Sequence, residues 1–280
     1  MFDKRGRNID YLRVSLTDRC NLRCIYCMPE AGICKKMHED IIRFEEAEKV
    51  ISACSSLGVR KVRFTGGEPL ILKGIESIIN HTASMQNIRD VSITTNGILL
   101  EDMAEDLKKA GLNRVNISLD TLKADKFKFV TRLGDINKVF GAIEKCLSIG
   151  LTPLKINTVL MKGINDDEIE DFIKLTVNYP VQVRFIELMP IGYGKDLTPV
   201  PSCEIQEQLR QTYGELAPCN KKLGNGPAAY FSIAGFQGNI GFISAVSTGF
   251  CGTCNRIRLT STGFLKLCLH YDKGVELREY

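Results

Sequence analysis

The sequence predicts an α/β fold: an incomplete (β/α)6 TIM-like barrel closed by a smaller C-terminal α+β domain. Three observations carry that prediction. Short β-branched runs alternate six times with longer segments of 3.6-residue periodicity through the first two-thirds of the chain. Each of the six strand segments leads into polar residues at its carboxyl end. After Met189-Pro190 the alternation stops, and a Gly- and Pro-rich stretch gives way to one helical pattern and two hairpin patterns.

The strand segments are 11–16, 61–64, 91–94, 114–119, 154–160 and 182–187. The helical segments between them are 44–57, 74–85, 101–110, 136–149 and 167–178, and Gly58, Gly111 and Gly150 stand where left-handed caps belong. Strands joined by helices imply a parallel sheet with right-handed crossovers. Cys20, Cys24 and Cys27 follow the first strand, Thr65-Gly66-Gly67-Glu68-Pro69 the second, and Thr94-Thr95-Asn96-Gly97 the third. Asn116, Ser118 and Asp120 line the fourth, Lys155 and Asn157 the fifth, and Arg184, Glu187 and Met189 the sixth. An open sheet binds mainly at one switch point, whereas a barrel collects its site from many strands. Contributions from all six strands favour the barrel, with domains over 1–190 and 191–280. A helix at 204–213 and hairpins at 229–231/240–244 and 256–260/264–269 make up the second part, which would cover the open side.

Composition narrows the function. Hydrophobic residues make up 44% of 280, which excludes a disordered chain. The apolar runs are too short to span a bilayer, and no apolar signal region follows Met1-Phe2-Asp3-Lys4-Arg5, so a cytoplasmic, non-membrane protein is expected. A formal net charge of +4 is too mild for nucleic-acid binding and suits a small anion held by a few placed cations.

Eleven cysteines include two groups of three. Without an export signal, such grouping favours metal ligation over disulfides. Cys54 and Cys146 fall in helical patterns and read as core thiols. The front group, Cys20, Cys24 and Cys27, is spaced C-x3-C-x2-C. Three soft ligands can hold an iron–sulfur cluster and leave one iron open to a small molecule. Structural zinc, the alternative, needs a fourth ligand, and only Cys34 and His38 are nearby in sequence. The rear group, Cys251, Cys254 and Cys268, is spaced C-x2-C-x13-C, and there His270 keeps a Cys3His zinc site as the alternative. Arg256 and Arg258 beside it share one strand face. Such a pair suits a phosphate chain, although alternating arginines are more commonly a solvated face.

Taken together, these motifs resemble the radical S-adenosylmethionine enzymes, and within them the GTP 3',8-cyclase family of molybdenum cofactor biosynthesis. The front trio with Tyr26 and Gly66-Gly67-Glu68-Pro69 carry the superfamily, and the rear trio with Asn255-Arg256-Ile257-Arg258 narrows it. The resemblance implies two [4Fe-4S] clusters, the second in the C-terminal domain, and S-adenosylmethionine on the open iron of the front one. It assigns Tyr26, Gly67, Ser118 and Met189 to the cofactor, and Arg13, Arg63, Thr94, Lys155, Arg256 and Arg258 to GTP. It implies a 5'-deoxyadenosyl radical that removes hydrogen from C3' of GTP, followed by bonding of C3' to C8. It names no final proton donor, so no catalytic residue is assigned. The partners it implies are a flavodoxin- or ferredoxin-type electron donor, a downstream molybdenum cofactor biosynthesis protein and a second copy in a homodimer. Family chains run on for several dozen residues to a Gly-Gly end, whereas this sequence stops at Tyr280, so reduced turnover with cluster binding retained is expected. The rival readings are a radical enzyme of peptide or sulfatase maturation and a non-catalytic iron–sulfur or zinc nucleotide sensor. For Arg13, Arg63 and Lys155, an ion pair with Asp120 or Glu187 is the structural alternative, and Met189 reads equally as packing.

Overall fold

A computed structural model of the chain describes residues 1–33, 36–219, 221 and 223–279. The alternation begins with β1 (Tyr11–Ser15), α1 (Phe44–Ser56), β2 (Lys61–Thr65), α2 (Ile75–Ser84) and β3 (Asp90–Thr95). It continues with α3 (Leu100–Lys109), β4 (Arg114–Ser118), α4 (Ala124–Thr131), α5 (Ile136–Ser148), β5 (Lys155–Leu160), α6 (Ile169–Asn178) and β6 (Gln182–Glu187). The last third holds α7 (Ser202–Tyr213), β7 (Ala217–Pro218), β8 (Ala229–Ser232), β9 (Asn239–Ile243), β10 (Arg256–Leu259), β11 (Phe264–Lys266) and β12 (Gly274–Glu276).

Strands β1 to β6 lie side by side in chain order, all parallel, as helix-connected strands must. The last third does not form a separate sheet. Its β9 pairs parallel with β6, and its β10 pairs parallel with β1. Antiparallel hairpin partners then extend both edges, giving one twelve-stranded sheet.

The period-2 alternation of the strands separates two chemistries. Leu12, Val14, Val62, Phe64, Val91, Ile93, Val115 and Ile117 pack with helix residues such as Ile51, Ile78, Leu107 and Val139 in one hydrophobic core. The alternate positions are almost all polar: Arg13, Arg63, Ser92, Thr94, Arg114, Asn116, Lys155, Asn157, Gln182 and Arg184. The helices therefore cover one face through apolar burial, and the other face is left for polar groups.

The predicted elements lie within a residue or two of the observed ones, except that the 264–269 segment leaves the hairpin after Lys266 and the 167–178 segment opens with one 3-10 turn. Helix α4 escapes the periodicity reading because its eight residues bury only Phe127, Val130 and Thr131. Gly58, Gly111 and Gly150 all take positive φ, and Cys54 and Cys146 are buried thiols. Among the described residues no helix is long and apolar enough to cross a membrane.

Candidate active site

The polar face of the sheet has a cysteine trio at each end. Cys20, Cys24 and Cys27 lie on the loop that leaves the carboxyl end of β1. The Gly66-Gly67 turn packs directly on that loop. Gly67 N–H donates to the Thr17 carbonyl at 2.7 Å, and Glu68 N–H to the Arg19 carbonyl at 2.8 Å. An added Cβ at Gly67 would stand 2.1 Å from the Arg19 carbonyl oxygen. The glycines thus serve the close approach of two backbones at the cysteine loop. Glu68, 1% exposed, accepts from Leu70 N–H, the Thr95 hydroxyl and Asn96 N–H at 2.7–3.0 Å, so one carboxylate ties the second and third strand ends together.

The donor set at this loop fits an iron–sulfur cluster. Leu22 N–H donates to Cys20 Sγ at 3.4 Å and Asn96 Nδ2 lies 3.8 Å from it, the kind of bond that stabilises a ligated sulfur. Burial raises all three thiols, so they stay protonated unless a metal supplies the compensating charge. Tyr26 donates to Asp120 at 2.7 Å. Ser118, half-buried, ends β4, and Met189, half-buried, follows β6 at the same end. Cys34 and the His38 side chain, the fourth-ligand candidates, lie outside the described residues.

Between the two ends lie the cations. One row across adjacent strands reads Arg258, Arg13, Arg63, Ser92, Arg114. The next inward positions bring Thr94, Asn116, Lys155 and Gln182 into line. Adjacent strands are about 4.8 Å apart, and like charges placed opposite one another destabilise a sheet. Yet Arg63, Arg114, Lys155 and Arg184 are each 7% exposed or less. Among the described residues Asp90 is the only carboxylate bonded to any of them, through Arg114 Nε at 2.8 Å and Nη2 at 2.5 Å. Arg13 Nε, Arg63 Nη2, Arg114 Nη1, Arg184 Nε and Thr94 Oγ1 are buried without a partner among the described residues.

The expected counter-ions are engaged elsewhere. Asp120 accepts from Tyr26 and Val159 N–H. Glu187 accepts from Ser202, Val246 and Ser247. The ion-pair alternative for Arg13, Arg63 and Lys155 therefore fails among the described residues. The electrostatic consequence is clear. Burial and then the neighbouring Arg184, Arg114 and Arg63 push the Lys155 ammonium down to about 6. Burial also pushes Arg63 down to about 10, and lowers Arg13, Arg184 and Arg258. This pocket holds more positive charge than its own carboxylates balance.

The rear trio stands at the opposite end of the sheet. The Asn255 carbonyl accepts from Asp10 and Tyr11 N–H groups at the start of β1, and Arg7 Nη1 donates to the Cys251 carbonyl at 2.8 Å. Cys268 follows β11, the hairpin partner of β10, and Cys254 and Cys268 both act on the charge of Arg258. Burial alone would raise the Cys254 thiol, but the Arg256 guanidinium and amide, with Arg7, hold it lowered. Arg256 lies 5.1 Å over the Phe250 ring, and His270 is exposed. Among the described residues no three His, Cys, Asp or Glu side chains close on a single ion.

The strand-end reading is thus only half of the arrangement. The cofactor candidates collect at the carboxyl ends, but Arg13, Arg63, Lys155, Arg256 and Arg258 lie within strands or at their amino ends. Sequence reasoning named Arg184 as a polar residue of the sixth strand without a GTP role, and it missed Arg114 and Asp90, which the inward phase of β3 and β4 could have supplied. It also missed the loop at Gly224, for which local sequence carries no signal of its partner.

The family described as Radical SAM superfamily matches residues 14–176, and the family Molybdenum Cofactor Synthesis C matches residues 181–280. The chain is 58% identical over 280 residues to a GTP 3',8-cyclase of Clostridium botulinum, covering 100% of this chain and 87% of that one. It is 48% identical to a GTP 3',8-cyclase of Syntrophomonas wolfei, covering 99% and 86%. Among solved structures, SuiB of Streptococcus suis superposes with a TM-score of 0.71 at 15% identity, over 99% of this chain and 65% of SuiB. The Escherichia coli coproporphyrinogen III oxidase HemN, a radical SAM enzyme, superposes at 0.52 with 16% identity, over 74% of this chain and 52% of its own. At those identities the two structures speak for the fold alone.

Proposed function

Because the chain belongs to the radical SAM superfamily and, within it, to the GTP 3',8-cyclase family, we infer that it converts GTP to (8S)-3',8-cyclo-7,8-dihydroguanosine 5'-triphosphate, the first step of molybdopterin biosynthesis. The observation that carries this reading is the row of buried and half-buried arginines with Lys155 beside it, in which Asp90 is the one bonded carboxylate among the described residues. Buried unpaired charge is costly, and a nucleoside triphosphate with about four negative charges would remove that cost. Each charge-assisted bond to a phosphate oxygen contributes roughly 1.5–3 kcal/mol, so Arg13, Arg63, Lys155, Arg184, Arg256 and Arg258 could hold it without a metal.

When bound, the front cluster and S-adenosylmethionine supply one-electron chemistry that removes a hydrogen atom from an unactivated carbon. Cys20, Cys24 and Cys27 would hold that cluster, with Tyr26, Gly67, Ser118 and Met189 around the cofactor. Cys251, Cys254 and Cys268 would hold a second [4Fe-4S] cluster at the other end, facing the guanine. The chain's own work is to hold the nucleotide between the two trios and to keep water from the reacting carbons. A parallel strand of five residues spans roughly 16 Å, which leaves room for a nucleoside between the ends. Residues 1–190 as an incomplete barrel, with 191–280 carrying the rear trio, is the organisation this reading adopts. A flavodoxin- or ferredoxin-type donor, a downstream biosynthetic protein, a homodimer and a cytoplasmic location rest on family membership alone.

The test is anaerobic incubation with dithionite, S-adenosylmethionine and GTP. 5'-Deoxyadenosine and a cyclised GTP product are expected together. Formation of 5'-deoxyadenosine at a rate indifferent to GTP, with no nucleotide product, would overturn the cyclase reading and leave the superfamily intact.

A further inference from the structure

Residues 224–226, ahead of β8, lie against side chains from the amino-terminal ends of β3, β4 and β5. The segment Gly224-Asn225-Gly226 has no counterpart among the motifs read from the sequence. Gly224 takes φ +146°, a conformation that side-chain-bearing residues rarely adopt, and an added Cβ there would stand 2.0 Å from Lys155 Nζ and 3.5 Å from Arg114 Nη1. Lys155 cannot swing aside freely. It is 1% exposed, and its ammonium lies 5.8 Å over the Tyr230 ring. Asn225 Nδ2 donates to Asp90 Oδ2 at 3.0 Å. Asp90 is the carboxylate that grips Arg114 by Nε and Nη2, leaving Arg114 Nη1 buried and unpartnered among the described residues. The segment thus touches two cations at once, Lys155 through a missing side chain and Arg114 through Asp90.

We propose that Gly224 and Asn225 form a positioning strap for the phosphate chain of the nucleotide. Asn225 occupies Asp90 and so keeps the one carboxylate of the pocket from competing with phosphate for Arg114 Nη1. Gly224 leaves the space in which Lys155 Nζ stands beside it. Two cations are thereby held at fixed separation, where a flexible polyphosphate would otherwise meet mobile side chains. This inference rests on the reading of the pocket as a GTP site.

The test measures binding of GTP and of guanosine to the cluster-loaded protein, together with iron content and S-adenosylmethionine affinity. Gly224→Ala and Asn225→Ala should each weaken GTP at least tenfold, with guanosine affinity, iron and S-adenosylmethionine binding unchanged within twofold. Gly226→Ala is the control: its added Cβ would lie 3.9 Å from Arg184 Nη1, an ordinary contact, so GTP affinity should hold within twofold. Should Gly224→Ala fail to fold, Asn225→Ala carries the test alone. GTP affinity retained in Asn225→Ala, or GTP and guanosine weakened alike, would overturn the strap. If the wild-type protein binds guanosine as tightly as GTP, the polyanion reading of the pocket itself fails, and the strap fails with it.

Discussion

The Tyr26 hydroxyl donates to the Asp120 carboxylate across 94 positions of sequence at 2.7 Å, fastening the front cysteine loop to the end of β4. Burial raises Asp120 to about 6, and its bonds from Val159 N–H and Tyr26 hold that rise back. The unfolded carboxyl titrates near 3.8. Its ionisation therefore costs stability that is lost as pH rises from about 4 to about 6. Tyr26→Phe should enlarge that loss and lower stability at pH 7 by about 1.5–3 kcal/mol, the worth of a hydrogen bond to a charged group. Denaturant midpoints at pH 5 and pH 8 check it, and a midpoint equal to wild type at pH 8 would remove the fastening role.

Arg258 stands opposite Arg13, and Arg256, two residues nearer the rear trio, stands opposite Tyr11. Replacing both with alanine should weaken GTP binding by about a hundredfold or more, from two lost bonds of roughly 1.5–3 kcal/mol each. Iron content should not change, because neither residue is a ligand. Calorimetric GTP titration with an iron count separates the two effects. Unaltered GTP affinity would return the pair to the solvated-face alternative.

Lys155 is held at about 6 by burial and three guanidiniums. At pH 8 it is therefore largely neutral before the nucleotide arrives, and a polyanion beside it favours the ammonium. Binding should take up close to one proton at pH 8. Affinity should rise by up to tenfold per unit as pH falls towards 6, and this contribution should level off below that. Titrations in buffers of different ionisation enthalpy read the proton directly. Lys155→Met should abolish the uptake, and an uptake that survives the substitution would assign the proton to another group.

Glu187 joins β6 to the last third of the chain. Burial alone would raise it, but the Ser247 hydroxyl and the amides of Ser202, Ser247 and Val246 outweigh that and hold it at about 2. The stability it contributes is present above about 4.5 and is lost as pH falls from there towards 2. Glu187→Gln should cost about 1.5–3 kcal/mol at pH 7 and flatten the acid limb of the stability curve below pH 4.5. An unchanged acid limb in the variant would contradict this assignment.

The two trios predict separable iron. Wild-type protein reconstituted without oxygen should hold about eight irons per chain, and the Cys20/Cys24/Cys27→Ala variant about four. Loss of all iron from that variant would mean that the rear trio holds no cluster of its own.

The alternation of strands and helices, both cysteine trios and the Gly66-Gly67-Glu68 turn were legible without coordinates, because each is a local pattern with its own period or spacing. The place of Arg114 and Arg184 among the phosphate-facing cations was not. Strand alternation puts Arg114 and Arg184 on the inward face, but only the register of β4 against β3 and of β6 against β5 brings them beside Arg63 and Lys155. Asp90 and Asn225 are 135 positions apart and meet only in the fold.

Sequence by itself determined which residue types this protein could use: three thiols twice, a surplus of inward cations, and strands that alternate apolar with polar. Tertiary structure decided where they stand. It put one trio at each end of the parallel strands, joined the last third to both sheet edges, and drew Asp120 and Glu187 into bonds that leave Arg13, Arg63 and Arg184 without a bonded carboxylate among the described residues. The physical reason is that side-chain alternation and metal spacing are encoded over a few residues, whereas strand register and charge compensation depend on neighbours set by the packing of the whole sheet.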